Sequence, residues 1–271
     1  MIASLYAKVC HLSPRFNKAS KKRIYQFLGR YYLQKNWTFM NYGYASMDGD
    51  DALPVLKSGD EDNRFCIQLY HIVASAVPLE GLRVLEIGSG RGGGSTYIKE
   101  YLKPQLLVGM DFSTNNVNFC NQTNSATGLV FLPGDAEHLP FKDGSFDAVV
   151  NVESSHCYSA MNKFLLEVRR VLRPGGHFLF ADFRDREKLG TLHAELSHSG
   201  MSLIKRRNIT TNVVAALDQD HLRKAAQIAQ GASKLMVRLF RQFAGNKKSR
   251  IYRRFSNGIT VYQSFMFRKA N

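Results

Sequence analysis

The chain has 271 residues, 44% of them hydrophobic and 22% charged, which suits one α/β domain with a sizeable core and excludes a disordered chain. No apolar run approaches about 18 residues and no signal-peptide layout occurs, so neither a membrane span nor secretion is indicated and a cytoplasmic location is expected. The formal net charge of +15 is uneven: residues 1–40 hold eight Lys or Arg and no acid, residues 204–271 hold fifteen against Asp218 and Asp220, and the stretch between is net −6. Cys10, Cys66, Cys120 and Cys157 are scattered, with no CxxC pair and no histidine at zinc spacing, so neither a disulfide framework nor a metal site is expected.

Along the chain, residues 1–35 read as helical, with a break near Ser13-Pro14 and Ile24, Phe27, Leu28, Tyr31 and Tyr32 at helix-like spacing. They are expected to form a lid that runs to residue 45, followed by a catalytic domain over 46–271. Asp48 to Asp51 is a polar loop, and Asn63 to Ala76 has a helical period. Val84-Leu85-Glu86-Ile87 is a short β-type run that turns into Gly88-Ser89-Gly90-Arg91-Gly92-Gly93-Gly94-Ser95. Glycines at 88, 90 and 92 remove Cβ atoms that would keep a ligand from the backbone, and the helix behind them offers free N–H groups. Alone, this string also fits a dehydrogenase-type glycine turn.

A second apolar run, Leu106 to Asp111, ends in a carboxylate about 20 residues on, where doubly wound folds hold the two hydroxyls of an adenosine ribose; Phe112 follows it. A third run, from Leu129, ends in Gly134-Asp135-Ala136-Glu137, so that Asp135 can accept an adenine amino group while the Ala136 N–H faces a ring nitrogen. The fourth run, Phe146 to Val152, contains Asn151, and Leu172-Arg173-Pro174-Gly175-Gly176 introduces a fifth strand, Phe178 to Ala181. Beyond it the pattern predicts a helix near 187–197, a strand over 201–206, helices over 212–230 and 233–243, and a last strand over 259–267. This alternation is that of a parallel sheet covered by helices, with residues 186–245 adding helices over the substrate side.

With these residues in order, the chain resembles the class I S-adenosylmethionine-dependent methyltransferases over residues 37 to 185. The LEIGSGRGGG loop, the GMD tip, the PGDAEHLPF turn, the SFDAVVNVESSHCY strand and the LRPGG turn follow the family's sequence of motifs. Phe39 to Tyr44, Asp62-Asn63-Arg64, Gln68 to His71 and Glu153 to Tyr158 resemble the subgroup that methylates lipids, polyketides, glycosides and terpenoids, including phthiotriolone dimycocerosate O-methyltransferases. The NYGY segment is also similar to an aromatic motif of sterol C-methyltransferases. The resemblance implies an α/β, Rossmann-like fold: a seven-stranded, mostly parallel sheet with helices on both faces, the last strand antiparallel beside the fifth, and an N-terminal helical lid. It implies S-adenosyl-L-methionine as cofactor, bound by Tyr42, Glu86, Gly88, Ser89, Gly90, Asp111, Phe112, Asp135, Ala136, Glu137 and Asn151. Glu86 would organise the glycine loop and the cofactor's amino group. Asn151 would lie with its backbone near the aminoacyl group, or its side chain would be structural.

Methyl transfer from a sulfonium needs an acceptor lone pair or π-bond behind the methyl carbon, so the protein mainly positions the acceptor and excludes water. A hydroxyl acceptor also benefits from a base. His156 lies four residues past Val152 in the loop that should face the substrate, and an ordinary histidine pKa of about 6.5 suits that work; hydrogen bonding within its own loop is the simpler role. Asp182 would orient His156, contact the substrate or cap the next helix. Glu153 and His138 are further acid or base groups outside this catalytic pair, and Trp37, Phe39, Tyr42 and Tyr44 would close over the cofactor. The expected activity is methyl transfer to a hydrophobic small-molecule or lipid-like acceptor, O-methylation ahead of C-methylation on an isoprenoid or sterol-like double bond.

The basic flanks also invite a nucleic-acid methyltransferase, but Asn151-Val152-Glu153-Ser154 lacks the prolines and aromatic of a base-binding (D/N)PPY tetrad. Contact with an anionic membrane surface is expected instead, through Tyr25, Phe27, Tyr31 and Tyr32 beside Lys21, Lys22, Arg23 and Arg30. A noncatalytic partner subunit is a third reading, against which the intact loop and acids argue. The oligomeric state is left open.

Overall fold

The computed structural model describes residues 37–47, 49, 51–231 and 249–271. The helical readings of 1–35 and 233–243, and the basic segment on which the expected membrane contact rests, lie outside the described residues. The strands are β1 (Arg83–Ile87), β2 (Leu106–Asp111), β3 (Leu129–Pro133), β4 (Phe146–Val152), β5 (Leu172–Asp185), β6 (Met201–Asn208) and β7 (Thr260–Lys269). The helices are α1 (Arg64–Ala74), α2 (Gly93–Leu102), α3 (Thr114–Thr123), α4 (Met161–Val171), α5 (Leu189–Ser197), α6 (Thr210–Gly231) and α7 (Arg250–Ser256). None of the described helices is long and apolar enough to cross a membrane.

The seven strands form one sheet in the order β3-β2-β1-β4-β5-β7-β6. Strands β1 to β5 pair in parallel, and β7 runs antiparallel between β5 and β6. The Rossmann-like sheet expected from the motifs is therefore present. Strand order reverses between β1 and β4, which opens a crevice beyond their carboxyl ends. Four of the five residues of β1 are buried, and so are six of the seven of β4, as suits strands covered on both faces. Alternate residues feed two cores: Val84, Leu107, Ala148 and Leu179 pack with α1, α2, α6 and α7, whereas Leu85, Val108, Val149 and Phe178 pack with α4 and α5.

Local chemistry fixes the elements that frame the crevice. Helix α4 buries Met161, Phe164, Leu165, Val168 and Val171, one face of a 3.6-residue period. Helix α7, absent from the sequence reading, is capped by Ser249 Oγ, which accepts the Tyr252 N–H at 3.1 Å, and it buries Phe255. Strand β5 is longer than expected because β7 pairs with it from His177 to Asp185 and a bulged β4 register reaches Leu172.

A helix is expected over residues 1–35, so the described part of the lid falls after it. Residues 37–46 form no helix; they run as an irregular strap, with Gly43 at φ +92° against Phe65. Hydrogen bonds to other parts of the chain hold the strap in place of helical bonds: Tyr44 N–H donates to Phe65 O at 2.9 Å and Ala45 N–H to Asn212 O at 3.1 Å.

Candidate active site

The glycine loop starts where β1 ends. Gly88, Gly90 and Gly92 have φ of +78°, +55° and +82°, values that L side chains rarely adopt. Gly88 and Ser89 N–H groups donate to Met110 O at 2.7 and 3.0 Å, and Gly90 N–H donates to Asp111 Oδ2 at 2.8 Å. Asp111 Oδ1 accepts the Ser113 N–H at 2.8 Å and Asn116 Nδ2 at 3.3 Å, so the carboxylate ties the loop to the tip of β2. Burial raises the Asp111 pKa despite these donors. A Cβ on Gly88 would stand 2.3 Å from Ser154 Oγ, which marks how closely the loop lies against the turn after β4.

Two predicted cofactor residues work from beneath the loop. Glu86 is fully buried, with its oxygens taken by the Tyr70 hydroxyl at 2.7 Å and by the Ser95 hydroxyl, and burial pushes its pKa up to about 7. Asn151, also fully buried, donates from Nδ2 to Ile87 O at 2.8 Å and lies 2.7 Å from Ser154 Oγ and 2.9 Å from the Tyr158 hydroxyl. Ser89 Oγ and Asn151 Oδ1 are buried with no hydrogen-bond partner among the described residues. Those unsatisfied polar atoms and the glycine cradle fit a small ligand with amino, carboxylate and ribose groups.

Phe112, 36% exposed, stands beside Asp111 at the tip of β2. At the tip of β3, Asp135 Oδ1 accepts the Glu137 N–H at 3.1 Å, and Ala136 is buried. Two predicted cofactor residues make contacts with neighbouring elements. Glu137 Oε1 accepts the Ser159 and Ala160 N–H groups at 2.8 and 3.2 Å, so this oxygen caps the start of α4. The Tyr42 ring stands 5.5 Å from that of Phe183 in β5 and 5.4 Å from that of Phe255 in α7. Tyr44 is fully buried, with its hydroxyl on Asp51, the ion-pair partner of Arg207 at 2.9 Å, so it does not close over the glycine loop. The rest of the strap does cross that loop: Arg91 Nε donates to Trp37 O at 2.6 Å, Gly93 N–H donates to Thr38 O at 3.3 Å, and Met40 lies over Gly90.

At the ends of β4 and β5 the two predicted catalytic residues meet. Asp182 is 1% exposed and accepts His156 Nδ1 on Oδ1 and the His156 N–H on Oδ2, both at 2.8 Å. Ser155 Oγ at 2.6 Å, the Phe183 N–H at 2.8 Å and Arg184 at 3.2 Å complete its surroundings. Burial alone would raise this carboxyl; the charges of His156 and Arg184 and these hydrogen bonds hold it well below the usual range. An ionised carboxylate only accepts, so Nδ1 of His156 carries hydrogen and Nε2 holds the lone pair of the neutral ring. Burial opposes charge on the imidazole, but Cys157 and Asp182 outweigh it and lift its pKa well above the ordinary value. The stability His156 contributes is full below its unfolded pKa and is lost as pH rises through the raised folded value; that of Asp182 is lost as pH falls through its lowered value.

Glu153, left outside the predicted catalytic pair, joins this region. It has φ +48°, which among the described non-glycine residues only Lys103 shares as a positive value. Its Oε1 accepts the Tyr42 N–H at 2.8 Å, and burial pushes the carboxyl up to about 7. Ser154, Tyr158, Phe183 and Phe255 also belong to the two halves of the crevice and were not singled out by the sequence. The Glu153-to-Tyr158 motif contains three of these five residues, which is the signal that could have marked them.

A methyltransferase-domain family model matches residues 85–180. The chain is 36% identical over 258 residues to a fatty-acid O-methyltransferase of Mycolicibacterium smegmatis, covering 95% of this chain and 93% of that protein. A phthiotriol/phenolphthiotriol dimycocerosates methyltransferase of Mycobacterium leprae is 34% identical over 257 residues, covering 93% and 94%. The crystal structure of the cyclase SpnF matches with a TM-score of 0.69 at 18% identity, over 92% of this chain and 94% of that one, a likeness of fold alone.

Proposed function

We infer the reaction from one premise: the chain belongs to the S-adenosylmethionine-dependent methyltransferases, the family of the two relatives that match it along nearly their whole length. The proposed reaction is O-methylation of a lipid-like acceptor, with His156 as the base. The observation that carries it is the 2.8 Å contact between His156 Nδ1 and the buried Asp182 carboxylate, which leaves Nε2 outside that contact on a side chain that is 25% exposed. Relatives named for fatty-acid O-methylation and for phthiotriol dimycocerosates methylation support the lipid-like acceptor.

When bound, the cofactor supplies a methyl group on a positively charged sulfur. Gly88, Ser89, Gly90, Asp111 and Asp135 would hold it, with Glu86 and Asn151 fixing the loop from below. On the other side, Tyr42, Phe183 and Phe255 offer an apolar wall to the acceptor. His156 Nε2 removes the hydroxyl proton as the new bond forms, a contribution of about 10²- to 10⁴-fold. Asp182 keeps Nδ1–H in place and stabilises the imidazolium, while Ser155 and Arg184 keep Asp182 itself from turning.

The raised His156 pKa favours a second acceptor, a carboxylate, which needs no proton removal and would be held by the imidazolium. The pH profile separates the two. With His156 as base, turnover at saturating cofactor climbs as pH rises through the raised His156 value and then levels off; with His156 as a holding cation, turnover falls across the same range. Paired assays with a fatty alcohol and a fatty acid of equal chain length would read this directly. Label found only on carbon, with an unsaturated isoprenoid as the sole accepted substrate, would overturn O-methylation.

On the cofactor side, Asp111→Ala is expected to weaken S-adenosylmethionine binding by about tenfold or more, since charged hydrogen bonds contribute about 1.5–3 kcal/mol each. Calorimetry on a variant with an unchanged circular-dichroism spectrum checks this, and equal affinity would remove Asp111 from the ribose site.

A further inference from the structure

Glu153 follows the last residue of β4, and its backbone N–H donates to Ala181 O at 2.9 Å, so the sheet ladder continues to it. There the chain bends at φ +48°, a left-handed value that a glutamate rarely adopts. Lys103, the other non-glycine residue of this kind, caps the end of α2, where helices commonly finish in a left-handed residue. Glu153 caps no helix, and its carboxyl meets the strap instead: Oε1 accepts the Tyr42 N–H at 2.8 Å, across 111 residues. The strap has moorings on either side of this point. Trp37 O and Thr38 O hold it at the glycine loop, and the Tyr44 and Ala45 N–H groups hold it to Phe65 of α1 and Asn212 of α6. Between them the Tyr42 ring meets those of Phe183 and Phe255, and the Phe183 ring lies 4.4 Å from that of His156. One line of contacts therefore runs from Glu153 through Tyr42 and Phe183 to the imidazole. Burial pushes the Glu153 carboxyl up to about 7, and in either protonation state it offers an oxygen to the N–H. Methyl transfer as described above gives Glu153 no role.

We propose that Glu153 is a positioning residue for the acceptor: its carboxyl holds the Tyr42 N–H, the held backbone seats the Tyr42 ring against Phe183 and Phe255, and the seated ring fixes where the acceptor's reacting oxygen stops relative to His156. This role rests on the reading of those three rings as the acceptor wall; the tie from Glu153 to Tyr42 does not. A hydrogen bond from a backbone amide to a buried carboxyl is short and directional, whereas ring packing tolerates sliding. Without the tie the ring slides along its neighbours and the wall shifts against the base, and a displacement of about 1 Å near the reacting atoms costs up to about 100-fold in rate. A left-handed bend kept at the end of a core strand fits this task, because such strain persists where surrounding contacts require it.

The test uses the full chain with isotope-labelled tyrosine amides and reads their hydrogen exchange by magnetic resonance. Glu153→Gly suits the left-handed bend and removes the carboxyl. In that variant the Tyr42 amide should exchange at least about tenfold faster, while the Tyr44 amide, which donates to Phe65 O, keeps its rate. With dodecanol or dodecanoic acid, whichever the wild type methylates better, kcat/KM should fall about tenfold or more. S-adenosylmethionine affinity measured by calorimetry should stay the same. Glu153→Gln keeps the accepting oxygen and should return both the amide rate and kcat/KM to near the wild-type values. Tyr42→Leu keeps the N–H and removes the ring, so it should lower kcat/KM by a similar factor, and the double variant should be no slower than the slower single one. An unchanged Tyr42 amide, additive losses, a matching loss of cofactor affinity, or a Glu153→Gln protein as impaired as Glu153→Gly would overturn the proposal. If Glu153→Gly does not fold, a fast Tyr42 amide in Glu153→Gln or a wild-type kcat/KM in Tyr42→Leu would overturn it, and the opposite pair of results would support it. A protein that methylates neither lipid would overturn the proposed reaction, while the tyrosine amides still decide the tie.

Discussion

Replacing His156 with alanine is expected to lower kcat for methyl transfer about 100-fold or more while leaving S-adenosylmethionine affinity nearly unchanged, the pattern of a group that acts mainly in the transition state. The geometry explains why the effect should be catalytic rather than structural. Asp182 would lose one side-chain partner, but Arg184, Ser155 and the N–H groups of His156 and Phe183 would still satisfy it. The stability loss should therefore stay below the about 3–5 kcal/mol of a buried charge left unpaired. Steady-state kinetics and calorimetry on the same preparation check both halves. A wild-type turnover in the variant would withdraw the base and leave positioning alone as the source of rate.

Gly88→Ala is expected to do the reverse, damaging cofactor binding and the fold together. At φ +78° an L side chain costs about 1–2 kcal/mol, and overpacking adds about 1–3 kcal/mol. The added Cβ would meet Ser154 Oγ at 2.3 Å and Ser154 Cβ at 2.5 Å, so either the loop or the turn after β4 must shift. A shifted loop breaks the hydrogen bonds to Met110 O and misplaces the backbone against any ligand. Gly81→Ala is the matched control: its φ is +74°, yet nothing lies within 4 Å of its added Cβ. The control should lose only the backbone-strain part of the stability, with cofactor affinity intact. Urea unfolding and calorimetry on both variants separate steric from conformational cost, and equal losses would show that Ser154 gives way freely.

The parallel core was legible because its strands are nearly continuous apolar runs ending in an acid or a glycine turn, a signal held within five to seven residues. Asp111 and the glycines were legible for the same reason: their role depends on the backbone beside them. Glu137 reads identically in sequence, but one of its oxygens is committed to Ser159 and Ala160, which only the packing of α4 reveals. Tyr42 is the opposite case, an aromatic in a recognisable motif whose N–H joins Glu153 across 111 residues and whose ring packs against Phe183 and Phe255. Helix α7 spans seven residues, too short for an apolar period to show. Its Phe255 meets Tyr42 and Phe183 through contacts that no local pattern encodes.

The order of the sheet also sets a schedule for the growing chain. Among the described residues β6 pairs with β7 alone, and β7 is the last strand to be synthesised. Strands β2 to β5 can assemble on β1 as their helices emerge, because each of the four finds a partner already made. Strand β6 cannot: its eight residues leave the ribosome about 50 residues before their partner, and they wait unpaired with Leu203 and Ile204 in solvent. Arrival of Thr260–Lys269 then fills the gap from β5 to β6 in one event, carrying Tyr262, Phe265 and Phe267 into both cores. Nascent chains halted before residue 260 should therefore hold a folded parallel core beside a protease-sensitive β6, and release of the last strand should convert that partly folded species to the complete sheet.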